Sequence, residues 1–344
     1  MDCPVCGGKD CVGQAKDIIE VLPTIFLPCP DCRARILDKR LPLPAPEYAE
    51  PCSCGKRYID EVFAHMYVIM VEEGCLLPTN PLIDVGSPLI HPGCAVDRPP
   101  YLPEKSLVLL SSRAGKKTAQ RLLREVPELR GVVKNGDFVP GIPDHDPGTP
   151  PRVYELVAGC DVRADIFPVR TGPLVMYKQQ SRIHIEFPRF GYPKLRSVER
   201  HVGMPPVPFF VDACSGVGTL GLAAACAGVH HVIMNDAWYA AAFWSAINLE
   251  VNKASFAVDR VRICKNLRDP GEHPTGHEPV KIADTEGEQV IEVYHGDLRE
   301  LNRVILQGSN PVTVIDVFDK RDRGAVEKMS ADWLSRVGGV AFVP

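Results

Sequence analysis

Short apolar segments alternate with polar turns in the C-terminal half of the chain. Residues 209–211 are an apolar run that predicts a buried parallel strand, and a glycine-rich loop follows them. The Ala-rich residues 222–227 predict a helix that Gly228 closes, and residues 231–234 predict a second strand. This succession of strand, loop, helix and strand is typical of an α/β domain.

The same pattern continues toward the end of the chain. A helix is predicted at 238–251, and further strands are predicted at 290–295, 312–315 and 340–344. A polar insertion at 267–288 precedes the third strand and suggests an exposed hairpin. A common seven-stranded sheet would need two strands beyond these five. Either a terminal antiparallel pair is absent, or strands from the middle of the chain complete the sheet.

The N-terminal half has patterns of its own. Apolar residues at helical spacing within 57–74 predict a helix that packs in a core. Residues 75–105 are rich in Pro and Gly and predict an irregular connection. The other predicted elements are a strand at 106–110, a helix at 116–125, a strand at 131–134, a linker at 136–151, and strands at 153–157 and 174–187.

The composition is that of a globular protein. Of the 344 residues, 45% are apolar and 24% are charged, and no apolar run is long enough to cross a bilayer. We therefore expect no membrane association. The net charge is −4, so a surface for nucleic acid would have to be a local patch.

Residues 163–201 suggest such a patch. Basic side chains there can neutralise phosphates, and aromatic rings can stack on unpaired bases. The alternative interpretation is a solvated sheet face with aromatic residues in its core. The residues concerned are Arg163, Arg170, Lys178, Arg182, Arg189, Lys194, Arg196 and Arg200, with Phe167, Tyr177, Phe187, Phe190 and Tyr192.

The 13 cysteines favour metal binding over disulfides. Their number is odd, the N-terminal ones form close pairs, and Cys3 and Cys6 follow Met1 so closely that we expect no signal peptide. Metal-bound thiolates in a reducing cytoplasm explain this pattern better than the disulfides of a secreted protein. We therefore expect a cytoplasmic protein.

Two CxxC pairs give the strongest metal signal. Cys3 and Cys6 form the first pair, and Cys29 and Cys32 form the second. Each pair turns so that two thiolates face one ion, and two pairs complete the tetrahedron that Zn²⁺ prefers. Apolar runs at 18–21 and 24–27 predict strands between the pairs, so the pattern resembles four-cysteine zinc ribbons.

Further cysteines leave alternatives open. Cys52 and Cys54 form a tighter pair, which could replace the first CxxC pair as the partner of the second. They could instead join His91 and Cys94 in a second metal site, or remain thiols without a metal. We interpret Cys11 as a residue that takes no part in metal binding.

These patterns divide the chain into four predicted segments. In chain order they are a zinc ribbon, a small α/β middle domain, a basic segment of antiparallel strands and a Rossmann-like domain. Their predicted bounds are 1–58, 59–150, 151–205 and 206–344.

The glycine-rich loop provides the candidate chemistry of the last segment. Gly216, Gly218 and Gly221 have the spacing of a dinucleotide-binding loop, and Asp236 follows at the expected distance of about 20 residues. Such glycines let the backbone turn tightly and approach a ligand, and the acid can hold both hydroxyls of a ribose. The spacing alone does not separate NAD from S-adenosylmethionine.

Two further acids favour S-adenosylmethionine. Asp212 ends the first strand just before the loop, where a carboxylate would repel a pyrophosphate but could serve a cationic methionine ammonium. Asp297 follows the third strand, where an acid suits an adenine amino group. The spaced acids Asp212, Asp236 and Asp297 resemble those of class I methyltransferases, which are Rossmann-like α/β proteins.

The resemblance can be narrowed to one group of enzymes. Residues 211–218, Asn235 with Asp236, and Asn248 with Asn252 look like segments of class I tRNA guanine methyltransferases. The basic residues 193–200 are similar to a segment that those enzymes carry before their first strand. The resemblance implies an RNA substrate, tRNA foremost. It also implies a cofactor site formed by Asp212, Ser215, Gly216, Gly218, Asn235, Asp236, Asp297 and Leu298.

The fourth strand ends at Asp316, which we predict to be the catalytic acid that orients the substrate or accepts its proton. Methyltransferases that act on planar amines often have Asn or Asp followed by two prolines and an aromatic residue. This chain keeps an acid and Phe318 but lacks the prolines, so an exocyclic base amine is not supported as the acceptor. A protein or small-molecule acceptor is one alternative, and a non-catalytic, zinc-organised RNA-binding module is another.

Overall fold

The computed structural model describes residues 1–143, 146, 148–264 and 278–344. These residues form two compact units. The first unit comprises residues 1–140, 153–165 and 179–187, and the second comprises residues 141–152, 166–178 and 188–344. The predicted segment 1–58 lies within the first unit and the segment 206–344 within the second, whereas the two segments between them contribute to both units.

The first unit is built on a four-stranded sheet. Its helices are α1 (Ala15–Val21), α2 (Ile59–Glu72) and α3 (Lys116–Glu125), and residues Leu82–Val85 form a 3₁₀ turn. Its strands are β1 (Arg57–Tyr58), β2 (Ser87–Ile90), β3 (Tyr101–Leu102), β4 (Leu107–Leu110), β5 (Leu129–Lys134) and β6 (Glu155–Gly159). The sheet has the order β2-β4-β5-β6, in which only β4 and β5 run parallel, and β1 pairs separately with β3.

The core of the first unit forms between helices and sheet. Val62 and Met66 of α2 pack in one apolar cluster with Leu109 of β4, Leu122 of α3 and Val132 of β5. All five side chains are fully buried. The predicted core helix is therefore confirmed, as are the strand, helix and strand that follow it in the sequence.

The strands predicted near the N-terminus are wrong. Residues Ala15–Val21 form a helix, and turns follow it, with the Ile25 N–H donating to the Val21 carbonyl at 3.0 Å. Ala, Lys and Glu in this segment favour a helix more than its adjacent isoleucines favour a strand. Pro23 then prevents the helix from continuing.

The second unit contains the larger sheet. Strands β7 (Val162–Val169) and β8 (Gly172–Gln179) form a separate two-stranded sheet whose residues divide between the units. The helices of the second unit are α4 (Pro193–Val202), α5 (Thr219–Cys226), α6 (Tyr239–Val251) and α7 (Arg323–Val337), with 3₁₀ turns at Lys253–Ser255 and Leu298–Arg303. Its remaining strands are β9 (Phe209–Asp212), β10 (His231–Asp236), β11 (Val258–Ile263), β12 (Val280–Gly287), β13 (Val290–His295), β14 (Val312–Val314) and β15 (Val340–Phe342).

The seven strands have the order β11-β12-β13-β10-β9-β14-β15. From β13 to β15 all neighbours run parallel, as expected for an α/β sheet, so the carboxyl ends of these strands meet at one edge. The alternative in which strands from the middle of the chain complete the sheet is wrong, and no antiparallel pair follows β15 in the described residues. The antiparallel strands β11 and β12 complete the sheet beside β13. The part of the predicted insertion from 267 to 277 lies outside the described residues. Most of the part from 278 to 288 belongs to β12.

Helix α7 closes the core of the second unit at the other end of the sheet. Its Trp333 is fully buried among apolar side chains that include Val211 and Ile315, and its indole N–H donates to Thr313 Oγ1 at 3.1 Å. At 15 residues α7 is the longest helix of the described part of the chain. None of the helices described there has the length and apolar character needed to cross a membrane.

Asn248 and Asn252 bind the backbone of β8. Asn248 accepts the Tyr177 N–H at 2.7 Å and donates to the Tyr177 carbonyl at 2.9 Å and to the Val217 carbonyl at 3.0 Å. Asn252 makes the same pair of bonds to Val175, at 3.0 and 2.7 Å. Both side chains are fully buried, so two amides on successive turns of α6 replace a neighbouring strand.

We expect the substitution Asn248→Ala to lower the free energy of unfolding by about 3 kcal/mol. It would leave buried N–H and C=O groups without partners, and each such group costs roughly 1–3 kcal/mol. The measurement is urea unfolding at neutral pH. The matched control, Glu250→Gln on the same helix, should change stability by less than about 0.5 kcal/mol because it alters only a partly exposed ion pair. Equal effects of the two substitutions would contradict this role of Asn248.

Candidate functional site

The loop between β9 and α5 requires its glycines. Gly216 and Gly218 have φ values of 55° and 91°, in the left-handed region that other residues rarely adopt. A Cβ at Gly216 would meet no atom within 4 Å, so the loop is open there. At Gly221 a Cβ would lie 2.4 Å from Met234 Cγ, so this glycine lets α5 approach β10 closely.

Asp236 connects three parts of the sheet edge. One carboxylate oxygen accepts the Gly216 N–H and the other accepts the Trp238 N–H, both at 2.8 Å. The Asp236 carbonyl accepts the Gly296 N–H at 3.1 Å, and His295 Nδ1 lies 3.1 Å from the same oxygen. Asp236 therefore fixes the glycine loop, the start of α6 and the end of β13 relative to one another.

Asn235 supports the same arrangement from within the core. Its side-chain amide N–H groups donate to the Ala213 carbonyl at 3.2 Å and to the Gly296 carbonyl at 2.9 Å. The main-chain carbonyl of Asn235 accepts the Ser215 N–H at 2.8 Å. Ser215 Oγ lies 3.4 Å from Ser245 Oγ on α6. These two predicted site residues thus position the loop through bonds that they already make within the protein.

Asp212 is a buried carboxyl with one free position. It lies at the end of β9, and its Oδ2 accepts the Gly221 N–H at 2.8 Å. Its Oδ1 is buried and has no hydrogen-bond partner among the described residues. Burial, followed by the nearby charges of Asp316 and Asp236, raises the pKa of Asp212 well above its usual value. A hydrogen-bond donor or a cation beside Oδ1 would offset the cost of burying this carboxyl.

Asp297 and Leu298 follow β13 at the same sheet edge. The Asp297 side chain accepts the Arg299 N–H at 2.9 Å and so caps the 3₁₀ turn Leu298–Arg303. The Arg299 guanidinium also donates to it, with Nε 2.8 Å from Oδ2. Leu298 is partly buried against the core of the second unit. The pairing of Asp297 with Arg299 was not predicted.

Asp316, two residues after the end of β14, lies between two lysines. Lys194 Nζ is 2.7 Å from one carboxylate oxygen and Lys320 Nζ is 2.7 Å from the other. Lys194 belongs to α4, in the segment that was predicted to contact nucleic acid, and Lys320 was not predicted to belong to the site. Lys320 lies four residues after Asp316 in the sequence. This spacing indicates an ion pair only when the conformation of the loop between them is known.

The basic and aromatic residues between 163 and 201 divide between the two interpretations. Arg163, Lys178, Phe167 and Tyr177 are buried, which fits the core interpretation. A second set is exposed and fits an interaction surface. This exposed set consists of Arg170, Phe187, Arg189, Phe190, Arg196 and Arg200.

The cysteines form two groups of four, and the predicted single site does not form. Cys3 and Cys6 lie with Cys11 and Cys160, whereas Cys29 and Cys32 lie with Cys52 and Cys54. The prediction that unites Cys3, Cys6, Cys29 and Cys32 is therefore corrected, as is the interpretation of Cys11. Each CxxC pair lies beside two other cysteines and not beside the other CxxC pair. His91 and Cys94 belong to neither group.

No protein-family model and no curated protein matches this sequence. The chain is similar to several solved structures at low identity, including three from Pyrococcus. Trm1 from Pyrococcus horikoshii in complex with S-adenosyl-L-methionine is 16% identical, with a TM-score of 0.37 over 52% of this chain and 42% of that chain. TYW2 from P. horikoshii in complex with MeSAdo is 16% identical, with a TM-score of 0.37 over 69% of this chain and 67% of that one. Trm5b from Pyrococcus abyssi is 14% identical, with a TM-score of 0.37 over 74% and 58%.

We expect Asp212→Asn to stabilise the protein at neutral pH. Because the folded-state pKa of Asp212 is raised above the unfolded value near 3.8, the unfolded state loses its proton first as pH rises. Stability of the parent therefore falls between pH 3.8 and the raised folded-state pKa, and the asparagine variant escapes this loss. Urea unfolding at pH 4 and pH 7 measures the difference, which should grow with pH in favour of the variant.

The control for this experiment is Asp259→Asn, which changes an exposed acid on β11, away from the loop. Its free energy of unfolding should equal that of the parent at both pH values. If Asp212→Asn is less stable than the parent at pH 7, the conclusion that burial raises the pKa of this carboxyl is contradicted.

Proposed function

We propose that the protein is a methyltransferase that uses S-adenosylmethionine. The observation that supports this most is the buried carboxyl of Asp212, with one unpartnered oxygen, beside an open glycine loop. The methionine part of S-adenosylmethionine brings an ammonium group, which supplies both the charge and the hydrogen bond that Asp212 lacks. On binding it, the carboxyl would ionise and form a charge-assisted hydrogen bond.

The charged acids around Asp212 argue against a dinucleotide. A pyrophosphate at the loop would bring negative charge toward Asp212, whose surroundings already include the acids Asp236 and Asp316. In a site shielded from water such a repulsion is strong. A cationic ligand lowers the electrostatic energy of these three acids, and an anionic ligand raises it.

The remaining acids at the sheet edge suit the nucleoside part of the cofactor. Asp236 ends β10 beside the glycine loop, so its carboxylate could accept both ribose hydroxyls. We assign Asp297 and Leu298 to the adenine, one as an acceptor for its amino group and the other as an apolar contact. Ser215, Gly216, Gly218 and Asn235 shape the loop on which the cofactor lies.

The bound cofactor would supply an electrophilic methyl group, and the protein would hold the acceptor in line with it. We assign Asp316 to this task because it follows β14 at the same edge as Asp212. Lys194 and Lys320 form ion pairs with its two oxygens, which fixes the orientation of the carboxylate. An acceptor group that reaches Asp316 would compete with one of these ammonium groups.

RNA, and tRNA foremost, is our proposed substrate. The exposed set of arginines and phenylalanines includes Arg189, Phe190, Arg196 and Arg200, which belong to α4 or directly precede it in the second unit. Helix α4 also contributes Lys194 to Asp316. The same helix therefore carries exposed arginines, which could neutralise phosphates, and a lysine that reaches the predicted catalytic residue.

We expect the protein to bind S-adenosylmethionine and not NAD, and Asp212→Asn to weaken that binding about tenfold to a hundredfold. The variant loses a charge-assisted hydrogen bond worth roughly 1.5–3 kcal/mol. Isothermal titration calorimetry with both ligands is the measurement, and Asp259→Asn is the control. Because Asp212→Asn should gain stability, a loss of affinity cannot come from unfolding. Tight binding of NAD, or unchanged affinity of the variant for S-adenosylmethionine, would overturn the proposal.

We expect charge reversal of Arg189, Arg196 and Arg200 to glutamate to weaken binding of tRNA and to flatten its dependence on salt. Each lost phosphate contact should reduce the slope of log K against log salt by about 0.7–0.9. Fluorescence anisotropy of labelled tRNA at several salt concentrations measures both effects.

The matched control reverses Arg260, Arg323 and Lys328, three exposed basic residues of the second unit outside α4, with the same change in net charge. This control should retain most of the affinity. A parent protein that binds no RNA would instead favour a protein or small-molecule acceptor.

A further inference from the structure

We propose that the first unit binds two zinc ions in two separate four-cysteine sites. The first site consists of Cys3, Cys6, Cys11 and Cys160, and the second of Cys29, Cys32, Cys52 and Cys54. Within each group all four sulfur atoms lie within 4.8 Å of one another. The two sites use eight of the 13 cysteines. The second site has the composition of one alternative that the sequence left open, in which Cys52 and Cys54 join Cys29 and Cys32, whereas the first site was not predicted.

The distances between sulfur atoms fit metal sites and not disulfides. In the first group Cys3 Sγ lies 3.7 Å from Cys160 Sγ, and Cys6 Sγ lies 3.5 Å from Cys11 Sγ. A disulfide would need about 2.05 Å. Four thiolates placed tetrahedrally at about 2.3 Å from Zn²⁺ lie about 3.8 Å apart, which is close to the observed separations.

The second group has the same geometry. Cys29 Sγ is 3.6 Å from Cys52 Sγ, and Cys32 Sγ is 3.7 Å from Cys29 Sγ and 3.5 Å from Cys54 Sγ. Four thiolates leave no position for water or substrate on a tetrahedral ion, so both sites are structural. They are therefore separate from the proposed methyl transfer.

The backbone supports metal binding independently of the sulfur distances. A glycine in the left-handed region follows the last cysteine of one pair in each group, with φ of 76° at Gly7 and 78° at Gly55. Gly7 N–H donates to the Cys3 carbonyl at 2.9 Å, and Gly55 N–H donates to the Cys52 carbonyl at 2.8 Å. A Cβ on either glycine would meet no atom within 4 Å, so the turn conformation alone requires glycine.

Cys160 gives the first site its particular role. Three of its ligands lie between residues 3 and 11, whereas Cys160 is 157 positions from Cys3 and follows β6. The Cys160 N–H donates to the Arg130 carbonyl at 2.8 Å, which continues the pairing at the edge of the four-stranded sheet. Zinc in this site would therefore fasten the N-terminal segment to that sheet. A metal that closes so long a chain segment stabilises by restricting the unfolded state.

Metal analysis of the full-length protein tests the proposal. We expect two zinc ions per chain by native mass spectrometry and elemental analysis after purification without added metal. A colorimetric chelator should release them in two phases. The second site should lose zinc first, because Cys3 and Cys160 of the first site are only 2% and 6% exposed.

Two variants assign the phases to the sites. Cys160→Ser should lose the slow phase and Cys54→Ser the fast phase, and each should retain one zinc. Cys75→Ser is the control, because Cys75 lies in the first unit but belongs to neither group. It should retain both ions.

Three results would overturn the inference. They are a parent protein with fewer than two zinc ions, iron in place of zinc, and full zinc occupancy in Cys160→Ser. The zinc count of the parent tests the proposal even if a variant fails to fold. None of these measurements depends on methyl transfer or cofactor binding.

Discussion

The hydrogen bonds of Asp236 hold the edge of the sheet together. Its two carboxylate oxygens fix the glycine loop after β9 and the start of α6, and its carbonyl fixes the end of β13. These hydrogen bonds add to the pairing of β10 with β9 and β13 and to the side-chain bonds of Asn235 at the same strand ends. The open face of the loop and the buried carboxyl of Asp212 depend on this arrangement, because both lie on the segment that Asp236 anchors. A residue that we also assign to the ribose is therefore part of the scaffold, and ligand binding and loop geometry are coupled through one side chain.

The acids of this edge could be predicted because a parallel sheet has a simple geometry. Residues that end successive parallel strands must meet at one edge, so Asp212, Asp236, Asp297 and Asp316 could be placed there from hydrophobic pattern alone. Their partners could not. Arg299 and Lys320 approach these acids through local loop conformation, which leaves no periodic signal. Strand β11 was also missed, because polar residues on the exposed edge of a sheet resemble those of a loop. Strand β12 lies in the segment that was predicted as an exposed hairpin, but it pairs on both sides within the sheet.

For the cysteines too, the sequence predicted local features but not the contacts between distant segments. Spacing within a CxxC pair determines that two thiolates can face one ion, and this local property was visible in the sequence. Which pairs meet is decided by the path of the chain between them. Helix α1 occupies the segment where strands were predicted, and the expected ribbon does not form there. Cys160 stands alone in the sequence, so only the pairing of β5 with β6 brings it to Cys3.

The position of Cys160 also determines when the first group of cysteines is complete during synthesis of the chain. The cysteines of the second group have all been synthesised by residue 54, whereas the first group lacks a member until residue 160. At about 5–20 residues per second, roughly 7–30 s separate the appearance of Cys11 from that of Cys160 on the ribosome. During this interval three neighbouring thiols of the nascent chain have no fourth partner. If these thiols are ligands of the proposed first site, they would be open to oxidation or to capture of another metal until Cys160 is available.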